Sequence, residues 1–340
     1  MLRDAVGREG HLRGLVTVFG GSGFVGSHIV RALAKEGRRI RVAVRRPWAA
    51  YKLRLLGDVG QIEIVQASVR APETVERAMV GAESAVYAVG VLFESGHQDF
   101  AAVHAEGPRV VAEAARRQGA ERVVLISAIG ADALSASKYA RTKAEGEAAV
   151  RDAPGATILR PSVVFGPEDQ FFNRFAALAQ ISPVLPLIGG GHTRLQPVFV
   201  GDVARATARV LADPDTAGKT YELGGPGVHS FEELMRIMLQ VIGRDRMLLP
   251  IPWGVARVLA LGGDLAAFLR SPLPIIPPPP LTTDQVLLLH ADNVVGPGAA
   301  TLADLGVQAS AFEPIIPTYL YPYRKGGQFA DLAPPAAAGA

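Results

Sequence analysis

The sequence predicts an α/β protein, a doubly wound parallel sheet followed by a smaller C-terminal α/β lobe. Three observations carry that expectation. Short apolar runs alternate with helix-period stretches from about residue 14 to residue 166. A glycine-rich turn lies between the first run and the first helical stretch. Beyond Gly166 the alternation gives way to segments punctuated by glycine and proline.

Taken in order, residues 15–19 form an apolar run that ends in glycines, the signature of a buried parallel strand. Residues 22–36 place Val25, Ile29, Val30 and Leu33 at helical spacing, and Gly37 stops the helix. Strands are expected at 40–44, 62–65, 85–89, 123–127 and 157–159, with helices near 74–80, 100–118 and 137–151. Pro183, Pro186 and Gly189 to Gly191 mark irregular loops, and a helix follows near 202–212. Ser230 and Glu233 make a capping box that opens a helix running to about Val241. The expected organisation is an N-terminal extension (1–13) and a nucleotide-binding domain of Rossmann type (14–166), with elements returning from about 195–225. A smaller lobe (167–280), a C-terminal interface segment (281–329) and a disordered tail (330–340) complete it. Within the lobe, 272–280 is a proline-rich connector.

Composition narrows the function classes. The chain has no cysteine, which excludes disulfides, thiolate metal sites and cysteine nucleophiles. Its seven histidines lack metal-ligand spacing, so no metal is expected, and His104, His192 and His290 read as surface or internally satisfied. Charged residues are 20% of the chain and the net charge is only +3. Arg38, Arg39, Arg41, Arg45 and Arg46 concentrate part of the basic excess, yet without interleaved aromatics they do not read as a nucleic-acid surface. A role beside a bound phosphate fits them better. Charges scattered through residues 1–14 argue against a signal peptide. The apolar stretch 253–269 is interrupted by Arg257, Gly262, Gly263 and Asp264, too early for a membrane span. Residues 247–280 could nonetheless rest on a membrane surface or a partner, or pack as core.

Gly20, Gly23 and Gly26 fall between a strand and a helix, with Ser22, Phe24 and Val25 completing the turn. Glycine allows the tight turn, backbone approach to a pyrophosphate, and close helix–strand packing. The helix amino terminus then supplies free amides and a favourable dipole. An NAD site usually offers a carboxylate about 20 residues later. Here the second strand ends in Arg45 and Arg46, groups that bind a 2′-phosphate through charge-assisted hydrogen bonds. NADP(H) is therefore the expected cofactor, with NAD(H) the alternative.

Together with Tyr139-Ala-Arg-Thr-Lys143, this loop resembles the extended and atypical short-chain dehydrogenase/reductases. The resemblance implies that Tyr139 gives or takes a proton, and that Lys143 binds the nicotinamide ribose and lowers the tyrosine pKa. It further places Ser68, Val69, Ala88, Val89, Gly90 and Pro161 against the cofactor. Departures from the family pattern are specific. Ile129 stands where a catalytic hydroxyl is expected, leaving Ser127 as its substitute; His104 replaces a frequent asparagine; Ser68-Val69 replaces an acidic or amide pair.

A narrower similarity runs through Ala88 to Glu94, Ser127 to Asp132, Ser135 to Glu147, Leu281 to Val295 and Pro317 to Phe329. These segments resemble the nucleotide-binding accessory subunit of respiratory complex I, NADH:ubiquinone oxidoreductase. That resemblance implies a cofactor held as a structural element without independent turnover. It also implies core complex I subunits as partners at the junction of peripheral and membrane arms, on the cytoplasmic face of a bacterial inner membrane or the matrix side. Tyr319, Tyr321, Tyr323 and Phe329, beside Arg324 and Lys325, suit an interface or an ordinary packed tail. The competing function is an active NADP-dependent reductase or epimerase acting on a nucleotide sugar, a sterol-like ketone or a quinone precursor.

Overall fold

The computed structural model describes residues 13–95, 98–270, 279 and 281–327. Most of the expected N-terminal extension, nearly all of the proline-rich connector, Phe329 and the expected tail lie outside these residues. The elements in chain order are β1 (Arg13–Phe19), α1 (Phe24–Lys35), β2 (Arg38–Val44), β3 (Ile62–Gln66), α2 (Pro72–Met79), β4 (Ser84–Tyr87), α3 (Gly107–Arg117), β5 (Arg122–Ile126), α4 (Lys138–Val150) and β6 (Thr157–Pro161). There follow β7 (Val164–Phe165), α5 (Phe172–Ile181), β8 (Val184–Ile188), β9 (Arg194–Leu195), β10 (Val198–Phe199), α6 (Val200–Ala212), β11 (Thr220–Leu223) and β12 (His229–Ser230). The last are α7 (Phe231–Ile242), β13 (Met247–Ile251), α8 (Trp253–Arg270), α9 (Thr283–Leu288) and α10 (Pro317–Leu320).

Two compact units result. The first runs to Arg160 and regains Val203–Tyr221; the second holds Pro161–Asp202 and the chain from Glu222 onward. A seven-stranded sheet is ordered β11-β6-β5-β4-β1-β2-β3. Its order reverses between β1 and β4, the crevice where doubly wound sheets bind ligands. Phe19 pairs with Ala43 on one side and Tyr87 on the other, so the carboxyl ends of β2, β1 and β4 lie level. Val16, Val18, Val42, Val86 and Val124 are fully buried, as strands covered on both faces require.

The return of α6 is anchored by a buried arginine. Arg122 donates to the Val210 carbonyl at 2.6 Å, the Asp213 carbonyl at 3.0 Å and Thr216 Oγ1 at 2.6 Å. It thereby satisfies carbonyls at a helix carboxyl end that would otherwise lack partners. The returning segment is narrower than 195–225, because β9 and β10 pair outside the large sheet. Two further expectations need correction. The fourth strand ends at Tyr87, leaving Ala88 and Val89 in the loop beyond it. The helix expected from residue 100 begins with a π-helical turn, Ala101–Glu106, before α3.

In the second unit, Phe165, Phe172, Phe231, Leu234, Met238 and Phe312 form the core. The capping box of Ser230 and Glu233 is present, and Gly243 closes α7 in the left-handed conformation. Where irregular loops were expected, β8 pairs in parallel with β13. Pro186 disguised β8, since proline argues against a central strand; a two-stranded sheet leaves it an open edge. Tyr319 and Leu320 are buried in this same core. Tyr319 donates to Asp169 at 2.6 Å and Tyr323 to Asn173 at 3.0 Å, so these two tyrosines hold the segment to its own unit.

Candidate nucleotide-binding site

The glycine loop leaves β1 at the switch point. Gly20 has φ +79°, and a Cβ there would lie 2.8 Å from the Ala88 carbonyl group. At Gly26 a Cβ would fall 2.2 Å from the Gly20 carbonyl oxygen, so α1 can cross the loop only without one. Gly23 is the N-cap and donates to the Gly20 carbonyl at 3.0 Å. No side chain caps α1, and its first turn carries no acidic residue. The first-turn amides of Phe24, Val25 and Gly26 therefore lack intrahelical partners and favour an anion. Ser22 is exposed at the head of this loop. A cradle that added Cβ atoms would fill, beneath uncapped amides, fits a dinucleotide pyrophosphate.

The arginine cluster divides. Arg38 and Arg39 open β2 at its amino end and Arg41 lies at its middle, all before the carboxyl end that meets the loop. Arg41 is occupied by Glu63 at 2.8 Å and by the carbonyls of Ala78 and Val80 at 3.0 and 2.7 Å. Expecting the whole cluster beside a phosphate was therefore wrong, because a strand separates its two ends. Arg45 and Arg46, both exposed, follow the carboxyl end of β2 beside the loop. Ser68 and Val69 follow β3 at the same edge. The Ser68 amide donates to Thr74 Oγ1 at 2.9 Å, turning the chain into α2, and Val69 packs against the core.

At the other end of the crevice, α4 carries Tyr139 and Lys143 one turn apart. Ser137 caps this helix by accepting from the Ala140 amide. Lys143 is buried and its Nζ donates to the Ile126 carbonyl at 3.2 Å. Burial pulls its pKa down to about 8, against the opposing pull of Glu147. A Cβ at Gly90 would stand 3.8 Å from Lys143 Nζ and 3.9 Å from His104 Nε2, so residues 88–90 link the glycine loop to the lysine. Pro161, at the end of β6, is buried.

His104, which the sequence marked as replacing a frequent asparagine but did not count among the site residues, stands beside Tyr139. The π-helical turn brings its ring 5.3 Å from Phe100 in a stacked pair and 5.0 Å from Tyr139 edge-on. Gly146 permits the approach, since a Cβ on α4 would meet the His104 carbonyl oxygen at 1.9 Å. Burial, then the Lys143 charge, lowers the His104 pKa to about 2, so the imidazole is neutral. Its Nε2 accepts from the Val91 amide at 3.1 Å, which assigns the proton to Nδ1, 3.5 Å from Thr142 Oγ1. His104 thus meets the expectation of a satisfied histidine, in an unexpected place. Of the other two, His192 is exposed and His290 stacks on Trp253 at 3.7 Å.

Ser127 is buried and donates to Glu147 Oε1 at 2.5 Å. The same carboxylate receives Arg160 through Nε at 2.8 Å and a terminal nitrogen at 2.6 Å. Ile129, also buried, supplies no hydroxyl. Glu147 continues the face of Tyr139 and Lys143 by another four residues, and that spacing was its signal in the sequence.

Uncapped amides beneath the pyrophosphate position and a buried lysine beyond Gly90 give unit one the architecture of an NAD(P)-binding dehydrogenase domain. The chain belongs to the NAD dependent epimerase/dehydratase family, whose model matches residues 16–224. It is 33% identical over 332 residues to the NADH dehydrogenase [ubiquinone] 1 alpha subcomplex subunit 9, mitochondrial, of Arabidopsis thaliana, covering 96% of this chain and 82% of that one. It is also 34% identical over 241 residues to a ceramide reductase of Caulobacter vibrioides, covering 71% and 74%. In fold it is similar to a Citrobacter triphenylmethane reductase complexed with NADP(H). There the TM-score is 0.68 at 20% identity, covering 89% of this chain and 99% of that one.

Proposed function

We propose that this chain is an accessory subunit of respiratory complex I that holds NADP(H) as a fixed structural element. The observation that carries the non-catalytic half of this proposal is the commitment of Ser127 to the Glu147–Arg160 pair. Ile129 puts an apolar side chain where the family carries its catalytic hydroxyl, which leaves a proton a poor route to a substrate oxygen. The glycine cradle and Lys143 are intact, which keeps binding while turnover is lost. When bound, the nicotinamide would supply hydride chemistry; Lys143 orients its ribose and the α1 amides hold its pyrophosphate.

NADP(H) is preferred over NAD(H) because arginines, with no carboxylate, follow β2. The mitochondrial relative at 33% identity supports the respiratory assignment, with core subunits at the arm junction as partners and a cytoplasmic or matrix-side position. Affinity purification from native membranes tests this. Recovery with respiratory subunits and stoichiometric NADP(H), identified by mass spectrometry, is expected. Recovery solely from soluble fractions would overturn it. The intact Tyr139/Lys143 pair and the ceramide reductase relative favour a second reading, an active NADP-dependent reductase. Under that reading Tyr139→Phe abolishes a measurable NADPH oxidation; under ours there is none to abolish.

A further inference from the structure

Helix α8 is built inside out. Its buried face consists of Ala256, Ala260, Gly263 and Ala267, all small. A Cβ at Gly263 would lie 1.7 Å from the Leu281 carbonyl oxygen, so these small residues let the chain beyond α8 lie close. Asp264 accepts from the Thr283 hydroxyl at 2.5 Å and its amide at 3.2 Å, fixing the helix to the start of α9. The large apolar residues consequently point away: Val255, Val258, Leu259, Leu261, Leu265, Phe268 and Leu269 are exposed, with Phe268 at 73%, Val258 at 68% and Leu261 at 63%.

At 3.6 residues per turn these seven positions sweep roughly 180° of the helix surface, opposite the alanine face. No polar side chain lies within that arc. Arg257 borders it on one side and Arg270 on the other, near the two ends of the helix. Among the described residues no helix is long and apolar enough to cross a membrane, and α8 is bound to its unit along one face. We infer that α8 lies in the interface of an anionic lipid bilayer, its outer face in the acyl region and its two arginines among the headgroups.

Two features select lipid over protein. A protein interface carries about one hydrogen bond per 100–200 Å², whereas this arc offers no side-chain donor or acceptor. Helical backbone satisfies its own polar groups, as an apolar medium requires. Flanking arginines can keep their charge at the headgroups while their stems remain apolar. The inference is independent of the respiratory assignment, since it uses none of the site residues.

Flotation of the purified full chain with vesicles tests it. Binding is expected to vesicles of phosphatidylcholine containing phosphatidylglycerol, and more weakly to phosphatidylcholine alone. The Leu261→Ser/Leu265→Ser variant should lose at least tenfold in binding to anionic vesicles while retaining nucleotide, which reports an intact first unit. Arg257→Gln/Arg270→Gln should lose the preference for anionic lipid. In Phe268→Trp the new indole should shift to the blue on vesicles and be quenched by brominated acyl chains. Absence of vesicle binding, or binding unchanged in the leucine variant, overturns the inference. Loss of native-membrane retention in that variant without any vesicle binding would assign the face to a protein instead.

Discussion

The Ser127 hydroxyl donates to the Glu147 carboxylate at 2.5 Å, joining the end of β5 to the third turn of α4. Glu147 is 2% exposed and also holds Arg160 by two hydrogen bonds. Ser127 is thus tied to an ion pair, and breaking that pair has a calculable consequence. Glu147→Gln removes the charge paired with Arg160, which should destabilise the fold by about 2 kcal/mol. Urea unfolding measures it. A loss below the error of that measurement would mean the pair contributes nothing.

Lys143 makes stability depend on pH. Its pKa is about 8 in the folded chain against 10.5 for a free lysine. Between those values the unfolded chain binds more protons, so stability rises with pH. The gain across the window should be about 3 kcal/mol in nucleotide-free protein, and it should vanish in Lys143→Met. Denaturant midpoints at pH 7.5 and pH 10 for both proteins decide the matter.

Neighbouring glycines of α8 should respond with opposite signs. Gly262 has nothing within 4 Å of its Cβ position, so Gly262→Ala gains helix propensity, about 0.5–1 kcal/mol. Gly263→Ala drives a methyl into the Leu281 carbonyl and should lose about 1–3 kcal/mol. Thermal melts of the two variants provide the comparison, and equal shifts would contradict the close packing of α8.

The proposed preference for NADP(H) rests on the arginines at the end of β2. Arg45→Asp should lower the ratio of NADPH to NADH affinity by about tenfold or more, the worth of one charged hydrogen bond. Titration calorimetry of nucleotide-free protein gives both constants. An unchanged ratio would remove Arg45 from the cofactor contacts.

Much of the fold was readable without coordinates, because its signals are local. The strand at 15–19, the glycine spacing, the stop at Gly37 and the capping box of Ser230 with Glu233 each depend on residues within a few positions of one another. The same holds for Tyr139 and Lys143, whose shared face follows from helical period alone. Other features required the folded chain. Arg41 reads like Arg45 until the sheet pairs it mid-strand with Glu63 and turns its guanidinium to the Ala78 and Val80 carbonyls. The ring of His104 meets Tyr139 through a π-helical turn that no residue pattern announces, and Ser127 finds Glu147 across 20 residues of sequence. The outward face of α8 is apolar in any reading. Its exposure was settled by a row of alanines and glycine fitting against Leu281, a contact between segments whose spacing carries no period to reveal it.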